Sequence, residues 1–347
     1  MVARMRAYQL CEAGRMPEVV EIPVPTPGPG QVRLRTAGAG LCHSDLLVFN
    51  AKPAFYPLPL TVGHEATGWI DAVGPGVQNL KEGDAYGVYF PWGCGDCDPC
   101  ARGAENICDH GAQTPGFATG RHGGMADYIL VDSPRHLVPL GDADPVTAAP
   151  LMCAGITTYH AVAQALSRLG PGSTATVIGV GGLGHIAIQI LKALSPTRVI
   201  AVDTQHVKLE QACALGADVG LAAGPEVAEA IRTDTGGLGS NVVFDFVGND
   251  ATLALGAKIL AFGGLQEIVG VGGGTLPVRF LEMPREATIT LPYAGTISDL
   301  RGVVSLFTGG LIHPEVIPIG FHQLGEYYAL MESGRLTGRA VLAPSLD

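Results

Sequence analysis

The chain has 347 residues, 47% hydrophobic and 15% charged, with a formal net charge of −11. That length allows two domains with separate cores, and the acidic balance argues against nucleic acid or an anionic membrane surface as a partner. The opening Met1-Val-Ala-Arg-Met-Arg-Ala has no apolar run, so no secretory leader is expected, and apolar stretches are interrupted by glycine before they could span a bilayer.

In chain order, segments 31–36, 66–73, 84–90 and 126–132 read as short strands separated by Gly and Pro. From about residue 171 the pattern becomes strand–helix alternation. A strand over 173–180 is followed by a helix running to 194, a strand over 198–203, and a helix over 205–215 stopped by Gly216. A strand at 218–222, a helix opened by Pro225, and strands at 241–247, 265–271 and 287–291 bring the count to six. Six strands alternating with helices predict a doubly wound parallel sheet that binds a dinucleotide. Helices near 298–308 and 324–333 and a strand at 339–343 close the chain. No internal repeat or disordered tract is expected.

Cys94, Cys97, Cys100 and Cys108 fall within fifteen residues, spaced C-x2-C-x2-C-x7-C. Four soft sulfurs at this spacing close around a tetrahedral Zn²⁺, and a fully ligated site of that kind holds structure rather than performing chemistry. An iron–sulfur site or free thiols are the alternatives. With no leader, metal-type cysteine spacing favours a reducing cytosol.

Gly179-Val-Gly181-Gly182-Leu183-Gly184 fits G-x-G-x-x-G and lies between a strand and a helix, the context that gives the pattern meaning. The first glycine permits the turn, the second lets pyrophosphate approach the backbone, and the third lets helix and strand pack closely. Asp203 ends the next strand, nineteen residues after Gly184, where a carboxylate accepts bonds from ribose hydroxyls and repels a 2′-phosphate. NAD is therefore expected over NADP. A helix N-cap is the alternative role for Asp203. Cys42, His64 and Cys153, far apart in sequence, would supply three ligands and leave a fourth position open, the pattern of a catalytic zinc.

Taken with Gly63-His64-Glu65 and Pro150-Leu-Met-Cys153-Ala-Gly-Ile-Thr157-Thr-Tyr, these motifs make the chain resemble the zinc-dependent, NAD-dependent medium-chain alcohol dehydrogenases of the tetrameric yeast and bacterial type. The similarity runs from about residue 20 to Arg339. It implies a GroES-like, β-rich catalytic domain over 1–153 and 293–347, with a six-stranded doubly wound Rossmann domain for NAD over 154–292. It also implies reversible hydride transfer between NAD and an alcohol, with aldehyde or ketone as the oxidised partner, two Zn²⁺ per subunit, and a homotetramer or else a dimer.

By the same resemblance Cys42, His64 and Cys153 hold catalytic zinc, Glu65 swings in as a transient ligand, and Cys94, Cys97, Cys100 and Cys108 hold the structural ion. Asp45 orients His64, Ser44 carries the proton, and His43 is a phosphate-side contact. Thr157 packs on the nicotinamide, Arg339 pairs with pyrophosphate, and Val247, Val269 and Val271 line the cofactor, with Gly272–Gly274 a loop beside it. Two positions depart from the family pattern. Leu47 stands where many members complete the proton relay with histidine, leaving the outer route to cofactor ribose, water or His43. Ala294 stands where relatives acting on secondary alcohols carry tryptophan, implying a roomier pocket for secondary or bulky hydrophobic alcohols.

A noncatalytic NAD-binding relative is the rival from another class. A polyol dehydrogenase is the nearest enzyme rival, disfavoured because its third ligand is usually glutamate rather than the cysteine found at Cys153. Quinone-reductase relatives lack zinc ligands. Cys11 and Cys213, outside any cluster, are expected to be inert packing residues, and the remaining histidines, His110, His122 and His136 among them, to take surface or packing roles.

Overall fold

The computed structural model describes residues 3–347 apart from Phe55 and Ala118. The chain forms two compact units. One comprises the chain up to Cys153 together with Thr296–Thr308 and Pro314–Asp347, the other Ala154–Gly295 with Gly309–His313. Among the described residues no helix is long and apolar enough to cross a membrane.

The first unit is built on a seven-stranded mixed sheet. Its order is Val316–Ile319, Arg339–Leu342, Val32–Gly40, Glu65–Val73, Ala85–Val88 and Leu137–Pro139, with Tyr128–Val131 also pairing to Val32–Gly40. A second sheet pairs Arg4–Leu10 with Glu18–Pro23 on one side and Leu60–Thr61 on the other. An apolar core of Tyr8, Leu10, Leu41, Val48, Phe49, Val62, Met125, Leu324 and Tyr328 packs between these parts. Register places Gly40 opposite both Glu65 and Val341, so Glu65 and the final strand are brought together across one glycine.

In the second unit six strands run in the order Val219–Ala222, Arg198–Asp203, Thr174–Ile178, Ser240–Asp245, Leu260–Ile268, Thr288–Thr290, every pair parallel. This is the expected doubly wound sheet, its order reversing beside Thr174–Ile178. All five residues of that strand are buried, as befits a central parallel strand covered on both faces. Ile178, Ile200, Val202, Val243, Ile259 and Leu260 form its core with Val227 and Ile231.

Several elements differ from expectation. Helix Val227–Asp234 starts after Glu226, leaving Pro225 in the preceding turn. The strand expected at 265–271 spans Leu260–Ile268, and the last shortens to Thr288–Thr290. Helices Ala154–Ala165 and Asp250–Ile259 were not expected. The first carries β-branched Ile156, Thr157 and Thr158, poor helix formers in isolation, and Thr158 Oγ1 donates back to the Ala154 carbonyl. The second is opened by a capping box in which Asn249 pairs with Thr252, a threonine serving where glutamate or glutamine is the usual signal.

Candidate active site

The turn Cys42–Asp45 is held at both ends by the core, through Leu41 on one side and Val48 and Phe49 on the other. Cys42, His64 and Glu65 are buried and Cys153 is half-buried, and each offers a donor atom within 4.8 Å of the others. Residues separated by up to 111 positions (153 − 42) thus meet at one point. His64 Nδ1 lies 3.1 Å from Asp45 Oδ1, which leaves Nε2 for the cluster. The rings of Phe90 and Phe117 flank the imidazole edge-on at 5.4 and 5.7 Å. Asp45 Oδ2 accepts the Cys42 N–H at 2.9 Å and the Tyr328 hydroxyl at 2.8 Å. One buried carboxylate therefore ties histidine, cysteine and tyrosine together. Tyr328 escaped the sequence reading because nothing in its local pattern marks a partner 283 residues away.

Ser44 Oγ lies 3.2 Å from Cys42 Sγ and is half-buried, whereas His43 and Leu47 are exposed. Arg339 is buried and its Nη2 pairs with Glu65 Oε1, while its Nε and Glu65 Oε2 have no hydrogen-bond partner among the described residues. A Cβ at Gly40 would sit 2.1 Å from Glu65 Oε2, so glycine there makes room for the carboxylate.

Electrostatics concentrate negative charge on sulfur. The hydrogen bond from the Cys153 thiol pulls Cys42 well below the ordinary thiol range, and the same bond with burial holds Cys153 well above it. Burial opposes charge on His64, but Asp45 and Cys42 outweigh it and raise the imidazole. Burial pushes Glu65 up to about 8, whereas the same carboxylate strengthens the charge on Arg339. Their direct contact, with a guanidinium that does not lose its proton, decides for the ionised pair. Two sulfurs, an imidazole nitrogen and a carboxylate with an unpartnered oxygen, brought close together, are a donor set that fits Zn²⁺.

In the other cluster Cys94 and Cys100 sulfurs, and Cys97 and Cys108 sulfurs, lie 3.9 Å apart. A tetrahedron with zinc–sulfur arms of about 2.3 Å has edges near 3.8 Å, so this group also fits zinc. The backbone N–H groups of Cys94 and Cys97 point at the Cys108 and Cys94 sulfurs, each at 3.4 Å. Glu105 anchors the lobe by accepting from Gly93 N–H and Arg135. His136 stacks on Trp92 at 4.9 Å, a packing role as expected. Cys11 and Cys213, expected in packing, are instead exposed, and His110, expected in a surface or packing role, is exposed and lies with Asp96 against Cys94.

The glycine loop sits at the carboxyl edge of the parallel sheet. Gly179 turns at φ 88°, with Val247 beside it. A Cβ on Gly184 would come 2.0 Å from the Gly179 carbonyl, whereas one on Gly181 would meet nothing within 4 Å. The loop is thus closed where helix meets strand and open where a ligand would approach, and it fits a dinucleotide. Asp203 Oδ2 accepts the Val180 N–H at 2.8 Å and Oδ1 the Gln205 N–H at 3.0 Å. The following helix is capped from Gln205 rather than Asp203. Gly182 and Leu183 complete the loop, Leu183 capping helix Gly184–Leu194. Val269 and Val271 follow strand Leu260–Ile268, and Thr157 is buried on helix Ala154–Ala165. Asp245, missed in the sequence, holds this edge by accepting from Val247 and Gly248 N–H.

Comparison with known proteins agrees with this arrangement. A family profile described as alcohol dehydrogenase GroES-like domain matches residues 28–142, and one described as zinc-binding dehydrogenase matches 182–309. The NAD-dependent alcohol dehydrogenase of Sulfurisphaera tokodaii is 35% identical over 98% of this chain and 100% of its own. The crystal structure of the alcohol dehydrogenase of Aeropyrum pernix superposes with a TM-score of 0.91 at 34% identity, covering 98% of this chain and 100% of that one. Acetophenone reductase from Geotrichum candidum, solved with NAD, gives a TM-score of 0.87 at 30% identity, covering 99% and 98%. The chain belongs to the zinc-binding medium-chain alcohol dehydrogenase family.

Proposed function

We propose that the protein is an NAD-dependent zinc alcohol dehydrogenase and carbonyl reductase, acting on secondary or bulky hydrophobic alcohols and the matching ketones. The meeting of Cys42, His64, Glu65 and Cys153 within 4.8 Å carries this reading, supported by relatives named as NAD-dependent alcohol dehydrogenases and by one named for acetophenone. Cys42, His64 and Cys153 hold one zinc, with Glu65 in reserve, and the four-cysteine lobe holds the other. When bound, the buried ion supplies Lewis acidity toward a substrate oxygen, and NAD supplies the hydride acceptor.

The chain's own side chains do the rest. Ser44 Oγ takes the proton of the substrate hydroxyl and hands it outward, past a position where Leu47 offers no relay. Asp45 keeps His64 in the tautomer with Nε2 toward the cluster. Arg339 and Glu65 balance charge, and Arg339 also serves cofactor pyrophosphate. Gly179, Gly181, Gly182, Leu183 and Gly184 cradle the phosphates, and Asp203 both braces the loop through Val180 and takes the ribose hydroxyls, selecting NAD. Thr157, Val247, Val269 and Val271 line the nicotinamide, with His43 on the phosphate side. The catalytic domain spans 1–153 and 293–347 and the NAD domain 154–292. The enzyme works in the cytosol as a homotetramer. Phe280 and Leu281, 96% and 93% exposed, are the apolar surface such assembly would bury.

An NAD(H)-coupled panel of primary alcohols, secondary alcohols and aryl ketones tests the reading. The expected result is turnover strongest on secondary alcohols and aryl ketones, with NAD preferred to NADP. Absence of turnover across the panel would refute it. A steady fall in rate as ketones grow beyond acetone would remove the roomier pocket at Ala294.

A further inference from the structure

One group of metal-binding side chains is left over from these assignments. Cys94 Sγ, a carboxylate oxygen of Asp96 and a ring nitrogen of His110 lie within 4.8 Å of one another, and all three residues are exposed. Cys94 belongs at the same time to the four-cysteine cluster, whose members run from surface to interior: Cys94 exposed, Cys97 half-buried, Cys100 and Cys108 buried. The cluster therefore has an outer end, and Asp96 and His110 stand at it. Contact with Cys94 lowers the Asp96 carboxyl below its ordinary range, so this exposed side chain carries its charge beside the sulfur.

A hydrated ion approaching a buried set of thiols must shed its waters while the thiols shed protons. A surface set with one sulfur, one imidazole nitrogen and one carboxylate oxygen can take the ion while waters still fill its other positions. That mix of donors suits borderline divalent ions such as Zn²⁺ or Co²⁺ and disfavours Mg²⁺ and Ca²⁺.

We propose that Cys94, Asp96 and His110 form an exposed divalent-metal site through which zinc enters and leaves the four-cysteine cluster, with Cys94 serving as a ligand in both. The inference rests on reading the four cysteines as zinc ligands. On entry, metal–water bonds are replaced by bonds to His110 nitrogen, Asp96 oxygen and Cys94 sulfur. Bonds to Cys97, Cys100 and Cys108 then form as those to His110 and Asp96 break. Each thiol gives its proton to water, and no electrons are transferred.

The test is exchange of bound zinc for added Cd²⁺ in the purified, zinc-loaded full chain, followed by cadmium–thiolate absorption. The phase belonging to the four-cysteine cluster is the one that survives in Cys42→Ser. Asp96→Asn and His110→Gln are each expected to slow that phase markedly, because the incoming ion loses a surface donor. Final cadmium uptake and zinc affinity, measured by chelator competition, should stay as in the parent. Unchanged exchange rates would overturn the proposal. So would slowing matched by an equal loss of affinity, which would make Asp96 and His110 supports of the final site. A parent chain with no zinc on the four cysteines would instead sink the underlying reading.

Discussion

Tyr328 lies on the helix Leu324–Glu332, yet its hydroxyl donates to the carboxylate that orients His64. Its ring stacks on Tyr8 and meets Phe49 edge-on, so Tyr328→Phe keeps the packing and removes one hydrogen bond to a buried acid. That loss is expected to cost about 1–3 kcal/mol of stability and to weaken zinc binding by about tenfold or more. Thermal melting and chelator competition measure both, and a variant unchanged in both would remove Tyr328 from the site's support. Glu267 makes a separate prediction. It is fully buried, and burial pushes its carboxyl from 4.5 up to about 7 despite Thr290, His160 and Arg168. Because the folded state holds this proton more tightly than the unfolded chain, stability falls as pH rises from about 4.5 through 7. Glu267→Gln should match the parent at pH 4 and exceed it at pH 8, by up to about 3 kcal/mol. Equal urea midpoints at both pH values would contradict this. His136 acts on the other side: burial, with Arg135 and Arg121, lowers it to about 3, so its contribution is lost as pH falls from 6.5 toward 3. Glu105, 3.8 Å away, is already committed to Gly93 and Arg135 and does not rescue that charge.

At the scale of elements, the glycine loop is the sharpest test of how sequence sets geometry. Gly184→Ala places a methyl against the Gly179 carbonyl, and either helix or loop must move. A loss of about 1–3 kcal/mol with markedly weaker NAD binding and unchanged zinc content is expected from melting, calorimetry and metal analysis. Retained NAD affinity would show that the loop tolerates the shift. This element was legible in the sequence because its glycines, the strand before it and Asp203 obey local rules. The helix Ala154–Ala165 was not, since its helicity is supplied by burial of a β-branched face rather than by propensity. The strands Arg4–Leu10 and Glu18–Pro23 were missed for a related reason: they are stabilised chiefly by pairing with each other, and that register is invisible in either segment alone. Pro225 lies two residues ahead of the helix, its fixed φ suiting the turn before the helix as well as the helix itself.

For the whole molecule, what could be read early was the chemistry carried by residue types at fixed spacing, the four cysteines above all. What could not be read were contacts made by long-range register. Glu65 and Arg339 meet because Gly40 pairs with both of their strands. His110 joins Cys94 because the lobe folds back on itself. Both depend on the chain's path through three dimensions rather than on any local pattern. The fold thus spends distant segments on one buried donor set, and the function proposed for the protein stands on that set holding a metal. The most direct test is zinc per chain by elemental analysis, with NAD-coupled turnover, in the parent and in Cys42→Ser. The expected result is two zinc ions falling to one, turnover falling below detection, and NAD binding preserved. Two ions retained with near-parental turnover would contradict the assignment of Cys42, His64 and Cys153 as the catalytic metal site.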